Sequence, residues 1–215
     1  MVGPERLGRF SEQGVTERAA LDALLDSQWA GVLSTVVEGK PLAVPMLYAR
    51  VGDAVILHGS TGAGALRHVA AGSPAVLTVF ALDALVVAPT TFESSVNYRS
   101  ATIRGSLQVS RQKTATLDLF SERLLPGRTS EVRASSAKEL AASLAMTLAI
   151  EPDNWLLKVA DDWPTTPEES DASPDVWSGL VPLRTVLEPA VPAPWAEHLA
   201  IPESVRRLTE PPTSS

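Results

Sequence analysis

Val55-Ile-Leu-His-Gly-Ser-Thr-Gly-Ala-Gly-Ala-Leu-Arg-His-Val69 is the stretch on which the reading of the whole chain turns. Val55, Ile56 and Leu57 read as a short buried strand, and His58 to Gly64 as a turn. Gly59, Gly62 and Gly64 are expected to free that turn for positive φ and for close approach of a ligand. From Ala63 onward Ala65, Leu66 and Val69 recur at helical spacing, and Gly72 with Pro74 ends the pattern. A strand, a glycine-rich turn and a helix start aim backbone N–H groups and the positive end of a helix dipole at one spot, which suits a phosphate or another anion. A tight connection that simply needed small residues reads equally well.

The 215 residues suit one domain with an appendage, and a 45% hydrophobic content is ample for a core. Charge is unevenly distributed. Residues 161–215 hold ten acidic and three basic residues, together with ten of the seventeen prolines. A boundary is therefore expected near Ala160, with a domain over 1–160 and a Pro-rich, acidic, extended segment over 161–215. With no run of lysine or arginine, a nucleic-acid or anionic-membrane partner has little electrostatic support. No stretch approaches the roughly 20 apolar residues of a membrane-spanning helix, and Met1 to Phe10 lacks the apolar core of a signal peptide. Zero cysteines exclude disulfides, thiolate metal sites and a cysteine nucleophile. The expectation is a cytoplasmic protein.

Along the body, Thr16 is a candidate cap for a helix with Leu21, Leu24 and Leu25 on one face. Trp29 to Val37 reads as a strand, and Glu38-Gly39-Lys40 as a turn. Leu42 to Tyr48 alternates, with Leu42, Val44, Met46 and Tyr48 on one face and Ala43, Pro45 and Leu47 on the other. Pro45 removes a ladder hydrogen bond, so that strand is expected at an edge or bulged. Ala75 to Phe80 and Leu85 to Ala88 read as two runs separated by Leu82-Asp83-Ala84. Val96 to Val109 is the longest extended candidate, with a bulge expected at Gly105. A helix containing Leu117, Phe120 and Leu124 stops at Pro126-Gly127, and a second opens with the capping box Ser136-Ala137-Lys138-Glu139. Leu148 to Ile150 and Trp155 to Val159 close the body as strands. Short hairpin turns and few crossovers argue for an antiparallel barrel with peripheral helices.

The same glycines could form a dinucleotide fingerprint, with Asp83 about 20 residues on as the ribose ligand. That fold needs strand–helix–strand crossovers, whereas these strands are joined by hairpins. A P-loop lacks its lysine, and without Gly-x-Ser-x-Gly a hydrolase reading has no motif.

His58-Gly-Ser-Thr-Gly, followed by Ser95-Val-Asn-Tyr-Arg-Ser100, resembles the pyridoxamine 5'-phosphate oxidase-related family of FMN-binding split barrels, in particular its nitroimidazole-reductase-like branch. The resemblance spans roughly residues 15–160, taking in Pro41 to Tyr48, Pro126-Gly-Arg128 and Lys138-Glu-Leu140, with a looser echo at Val176-Trp-Ser-Gly179. It implies a mainly β, antiparallel split β-barrel that forms a homodimer with FMN at the subunit interface and acts as an oxidoreductase on a small molecule. Carried over, His58, Gly59, Ser60 and Thr61 line the phosphate and ribityl end. Pro45, Met46, Leu47 and Tyr48 offer backbone along the ring, and Asn97, Tyr98, Arg99 and Ser100 close the site. Ser60, Thr61 and Arg67 would supply hydroxyls and a cation to the phosphate.

The chain also departs from that family's pattern. Many members carry a Ser-Arg pair where this sequence has Ala63 and Gly64, histidines where it has Glu93 and Ser94, and an arginine where it has Pro89. A non-enzymatic binding module that holds haem, with His58 as axial ligand, or another anionic or flavin-type cofactor in the same cleft is a second reading, and a cofactor-free structural dimer, suggested by Ala63 and Gly64, a third. His68 and His198 are expected to face solvent, and Arg99 to pair with Glu93 or a carboxylate of another subunit. Trp163, Trp177 and Trp195 are expected to anchor the tail to the body or to a second subunit.

Overall fold

The computed structural model describes residues 11–166, 169 and 175–209. Among the described residues, ten strands form one antiparallel sheet. They are β1 (Gly14–Val15), β2 (Ala30–Val37), β3 (Lys40–Val51), β4 (Ala54–Ser60), β5 (Pro74–Val87), β6 (Ser95–Ser106), β7 (Gln108–Val109), β8 (Ser143–Ala149), β9 (Trp155–Ala160) and β10 (Gly179–Pro182). The order is β1-β9-β6-β5-β2-β3-β4-β8-β7, with β10 added beside β5. The two end strands β1 and β7 do not pair, so the barrel stays open. All nine strand pairings among the described residues are antiparallel, so the dinucleotide-fold reading fails.

β3 is the strand that splits the barrel. Residues Lys40–Leu47 pair with β2, and Tyr48–Val51 pair with β4. Along 40–47 the edge facing β4 therefore carries no strand, and there Pro45 sits in unbroken register opposite Val32. A proline is tolerated because its missing N–H is not needed on a free edge. Two-residue turns flank the strand, Glu38-Gly39 with φ of 50° and 75° and Gly52-Asp53 with φ of 57° at the glycine.

Helix α1 (Arg18–Ser27) buries Leu21, Leu24 and Leu25 at 0–1% exposure in a core shared with Leu33, Tyr48, Leu57, Leu77, Ile103 and Leu148. Its N-cap is Glu17, whose side chain makes no cap bond, and not Thr16. Helix α2 (Gly64–Ala70) packs Leu66 and Val69 into the same core, while α3 (Lys113–Leu124) lays Phe120 on Ala49 and Ile56 over the outer face of β3 and β4. The short helices α4 (Arg128–Glu131) and α5 (Ala137–Ala142) follow, and the Ser136/Glu139 capping box is present.

Several expectations change. The two runs around Asp83 are one strand, β5, whose register against β6 shifts between Leu82 and Ala84. The extra residue, Asp83, turns its carboxylate to Arg99, with Oδ2 and Oδ1 accepting from Nε and Nη2 at 2.9 and 2.8 Å. The bulge is thus at Asp83, and Gly105 stays in register opposite Ala75. A Cβ at Gly105 would lie 3.0 Å from Leu148 Cδ1, which accounts for a glycine there. Asn154 stitches the barrel nearby, its Nδ2 donating to the carbonyls of Arg104 on β6 and Ala149 on β8.

The acidic tail is not simply extended. β10 pairs with β5 from Gly179↔Val87 to Pro182↔Ala84, and the described residues end in α6 (Glu203–Thr209). There Ser204, 1% exposed, gives its N–H and Oγ–H to the Glu131 carboxylate at 2.9 and 2.5 Å. Trp163, Trp177 and Trp195 stay 76%, 66% and 80% exposed, so within the chain the strand ladder and this cap, rather than the tryptophans, hold the tail to the body.

Candidate functional site at the barrel split

The split lies between the free edge of β3 over 40–47 and the end of β4. Tyr48↔Leu57 is the last β3–β4 pair, so His58, Gly59 and Ser60 continue past it paired only to β8, opposite Ala145, Leu144 and Ser143. β4 thus leaves its backbone edge free toward β3, and β3 leaves its own free from Leu47 to Lys40. Two unpaired edges facing one gap offer peptide donors and acceptors to a planar polar ring. Met46 and Tyr48 turn inward. Tyr48 is 1% exposed and its hydroxyl donates to the Leu25 carbonyl at 2.6 Å, and burial pushes its ionisation well above the ordinary range. Pro45 and Leu47 face outward, Leu47 at 49% exposure.

At the floor of the split, the turn spends most of its own donors. The N–H of Thr61 reaches the Ala142 carbonyl at 3.0 Å, that of Gly62 the Ser60 Oγ at 3.1 Å, and that of Ala63 the Ser60 carbonyl at 3.1 Å. Thr61 also gives its hydroxyl to the Ala142 carbonyl, whereas the Ser60 hydroxyl accepts from Gly62 and keeps its own proton available. Gly59, Gly62 and Gly64 do not take positive φ, contrary to expectation. Gly59 is required by packing instead, because a Cβ there would lie 2.2 Å from Leu66 Cδ1 of α2. Arg67 is exposed on α2, and its neighbour His68 is not solvent-directed: its Nε2 lies 2.9 Å from the Val36 carbonyl and ties α2 to β2.

His58 stands on the outward face beside the split. Its ring meets Phe120 edge-on, with centroids 4.4 Å apart and planes inclined by 73°. Desolvation by these neighbours holds its pKa below the usual histidine value. A neutral imidazole with a lone pair is what a metal-bearing ligand needs. Met146 is fully buried and Met46 packs against the core, and the chain has no cysteine. Among the described residues no cluster of His, Cys, Asp and Glu forms a metal site of its own.

The four β6 residues are not adjacent to the turn, since β5, β2 and β3 stand between β6 and β4. Asn97 is buried and its Nδ2 donates to the Asp162 carbonyl at 2.9 Å. Tyr98 lies under the Lys158 ammonium at 5.3 Å from the ring centroid. Arg99 pairs with Asp83, and not with Glu93. Ser100 faces outward opposite Phe80. One chain therefore assembles the β3 and β4 residues around the split and holds 97–100 apart on the same sheet. Phe120 escapes sequence reasoning, because nothing local in an amphipathic helix says that its ring meets a histidine 62 positions earlier.

Residues 17–155 match the sequence model of the pyridoxamine 5'-phosphate oxidase family. The chain belongs to this family. Its fold is the split barrel of flavin-binding proteins. A solved FAD and haem binding protein from Mycobacterium smegmatis is 44% identical, with a TM-score of 0.87 over 92% of this chain and 97% of that one. The flavocytochrome Anf3 from Azotobacter vinelandii is 27% identical, with a TM-score of 0.85 over 94% of each chain. A putative 5-nitroimidazole antibiotic resistance protein from Bacteroides thetaiotaomicron shares the fold at 17% identity and a TM-score of 0.55, over 68% of this chain and 86% of that one. No curated protein matches the chain. Among the described residues, no helix is long and apolar enough to cross a membrane.

Proposed function

We propose that this chain is a flavin- and haem-binding redox protein that holds FAD along the barrel split and a haem through His58. The observation that carries the reading is the M. smegmatis FAD and haem binding protein, whose likeness runs over 92% of this chain and so extends beyond the family's core into the C-terminal segment. The flavocytochrome supports the same pairing at similar coverage.

Residues of the chain offer partners to both groups. The free edges of β3 and β4 supply backbone partners for a flavin ring. FAD suits the floor of the split better than FMN does. An FMN terminal phosphate is close to a dianion and calls for several converging donors, yet the N–H groups of residues 61–63 are already spent and Ala63 and Gly64 bring no polar side chain. A pyrophosphate spreads single charges over two phosphorus centres. A Cβ at Gly64 would meet nothing within 4 Å, which leaves room for the longer cofactor. For the haem, His58 offers an imidazole kept neutral by its surroundings.

When bound, the two groups supply one- and two-electron redox chemistry. The chain's own part is to orient the ring on β3, offer the Ser60 hydroxyl to phosphate, and give His58 nitrogen to iron. No side chain here needs to act as acid or base.

The reading includes a homodimer in the cytoplasm. The outward faces of β2, β3 and β5 expose Val36, Leu47 and Leu85 at 46–57%, apolar side chains that a second copy would cover. Cofactor extraction with identification of the released flavin, and sedimentation equilibrium for the mass in solution, test the proposal. FAD, haem b and a dimer mass are expected. Colourless protein that also fails to take up added FAD or haemin would overturn it.

A further inference from the structure

Beside the split, the C-terminal segment walls in a trough. Ser27, Gln28, Trp29, Pro45, Phe80 and Leu187 are among the residues lining a cavity of about 660 Å³, within the size range of small-molecule sites. Trp29, Phe80 and Leu187 are 44%, 52% and 50% exposed, so these apolar surfaces are open and not packed into the core. An adjoining cavity shares Ser27, Gln28 and Thr185 and adds Asp83, Arg99 and Arg184. The β10 ladder and the Leu183 N–H, which donates to the Asp83 carbonyl at 2.9 Å, fix where the chain leaves the sheet and so hold Arg184 at this end. Arg99 is committed to Asp83 in a two-bond pair. Arg184 is exposed and makes no ion pair among the described residues.

We propose that this trough is the substrate site, and that it takes a small molecule consisting of a planar apolar ring with an anionic group. The ring lies among Trp29, Phe80 and Leu187, and the anion meets Arg184, whose planar fork suits a carboxylate or sulfonate. The lining contains no histidine, methionine, cysteine or tyrosine, so it offers iron no axial ligand and is not the haem site. Pro45 belongs both to the trough and to the strand proposed to carry the flavin, which sets a bound ring beside that cofactor. Only this last link rests on the proposed flavin site.

Two probes that differ in one group test it: neutral N-phenyl-1-naphthylamine and its sulfonated counterpart 1-anilinonaphthalene-8-sulfonate, titrated calorimetrically into the full-length protein as purified. The sulfonate should bind at least tenfold more tightly, the scale of one charge-assisted hydrogen bond. Arg184→Ala should bring it down to the level of the neutral probe, and Arg184→Lys should restore part of the preference. Leu187→Asp should weaken both probes while cofactor spectra stay unchanged. Equal affinities, a preference that survives Arg184→Ala, or no binding because a second copy fills the trough would each overturn the proposal. A preference retained by protein that neither carries nor takes up FAD or haemin would uphold the trough while refuting the proposed function.

Discussion

The imidazole of His58 rests edge-on against the ring of Phe120, 4.4 Å between centroids, although the two lie on a strand and a helix far apart in sequence. This contact holds the imidazole beside the split and keeps it neutral. His58→Ala is expected to abolish the Soret band of the purified protein while leaving the flavin bands nearly unchanged, and to lower the melting temperature by the share that bound haem contributes. The pH dependence has a definite sign. The folded pKa lies below the ordinary value of about 6.5, so between the two values the unfolded chain binds the extra proton. Stability therefore falls as pH drops through about 6.5 toward the folded pKa, yet over that window the native imidazole stays neutral. Haem retention should persist below pH 6.5, and a spectroscopic pH titration checks it.

Ser60 and Thr61 differ in what they can still donate. Thr61 has given its hydroxyl proton to Ala142, whereas that of Ser60 is free to reach a phosphate. Ser60→Ala should weaken flavin binding by about 1.5 to 3 kcal/mol, the range for a hydrogen bond to a charged group. Thr61→Val should cost flavin affinity little and should lower thermal stability instead. Fluorescence titration of deflavinated protein separates the two.

Gly59 is a packing glycine. Adding a methyl group puts it 2.2 Å from Leu66 Cδ1, and Leu66 is 6% exposed in the main core. Gly59→Ala should destabilise the protein by about 1 to 3 kcal/mol, the usual cost of overpacking. The double variant Gly59→Ala with Leu66→Ala should recover part of the loss, as measured by denaturant melts.

Glu131 caps the last helix from a distance of 73 residues. The Ser204 hydroxyl and N–H both donate to it and hold its pKa below the usual glutamate value. For a depressed acid the stabilisation is fully present above the unfolded value and is lost as pH falls through the lower folded one. Glu131→Gln and Ser204→Ala should each make the segment after Leu199 more sensitive to limited proteolysis at neutral pH. Wild type should gain that sensitivity only on acidification below about pH 4.5.

Period and chemistry made part of this legible in advance. The alternation from Leu42 to Tyr48 gave the faces of β3, Leu21, Leu24 and Leu25 gave the buried stripe of α1, and Ser136 with Glu139 gave a helix start. Pro45 even marked the edge that carries no strand. Other features depend on partners distant in sequence, which no local pattern encodes. Asp83 looked like a turn because a charged residue interrupted two apolar runs, and only Arg99 on the next strand makes it a bulge inside one strand. The glycines of the 59–64 turn read as conformational, but Gly59 answers to the side chain of Leu66. The tail read as extended from its prolines and charge, and its docking on Glu131 and β5 follows from contacts more than 70 residues away. Nor could the sequence tell that 97–100 and 58–61 lie several strands apart.

The central claim is tested most directly by the visible absorption spectrum of the purified protein, with pyridine haemochrome analysis and chromatography of the released flavin. A Soret band together with flavin absorption, FAD and haem b each near one per chain, and loss of the haem alone in His58→Ala is the predicted result. A spectrum with neither chromophore, unchanged after incubation with FAD and haemin, would contradict the account and leave the chain with the family's fold and without its cofactor chemistry.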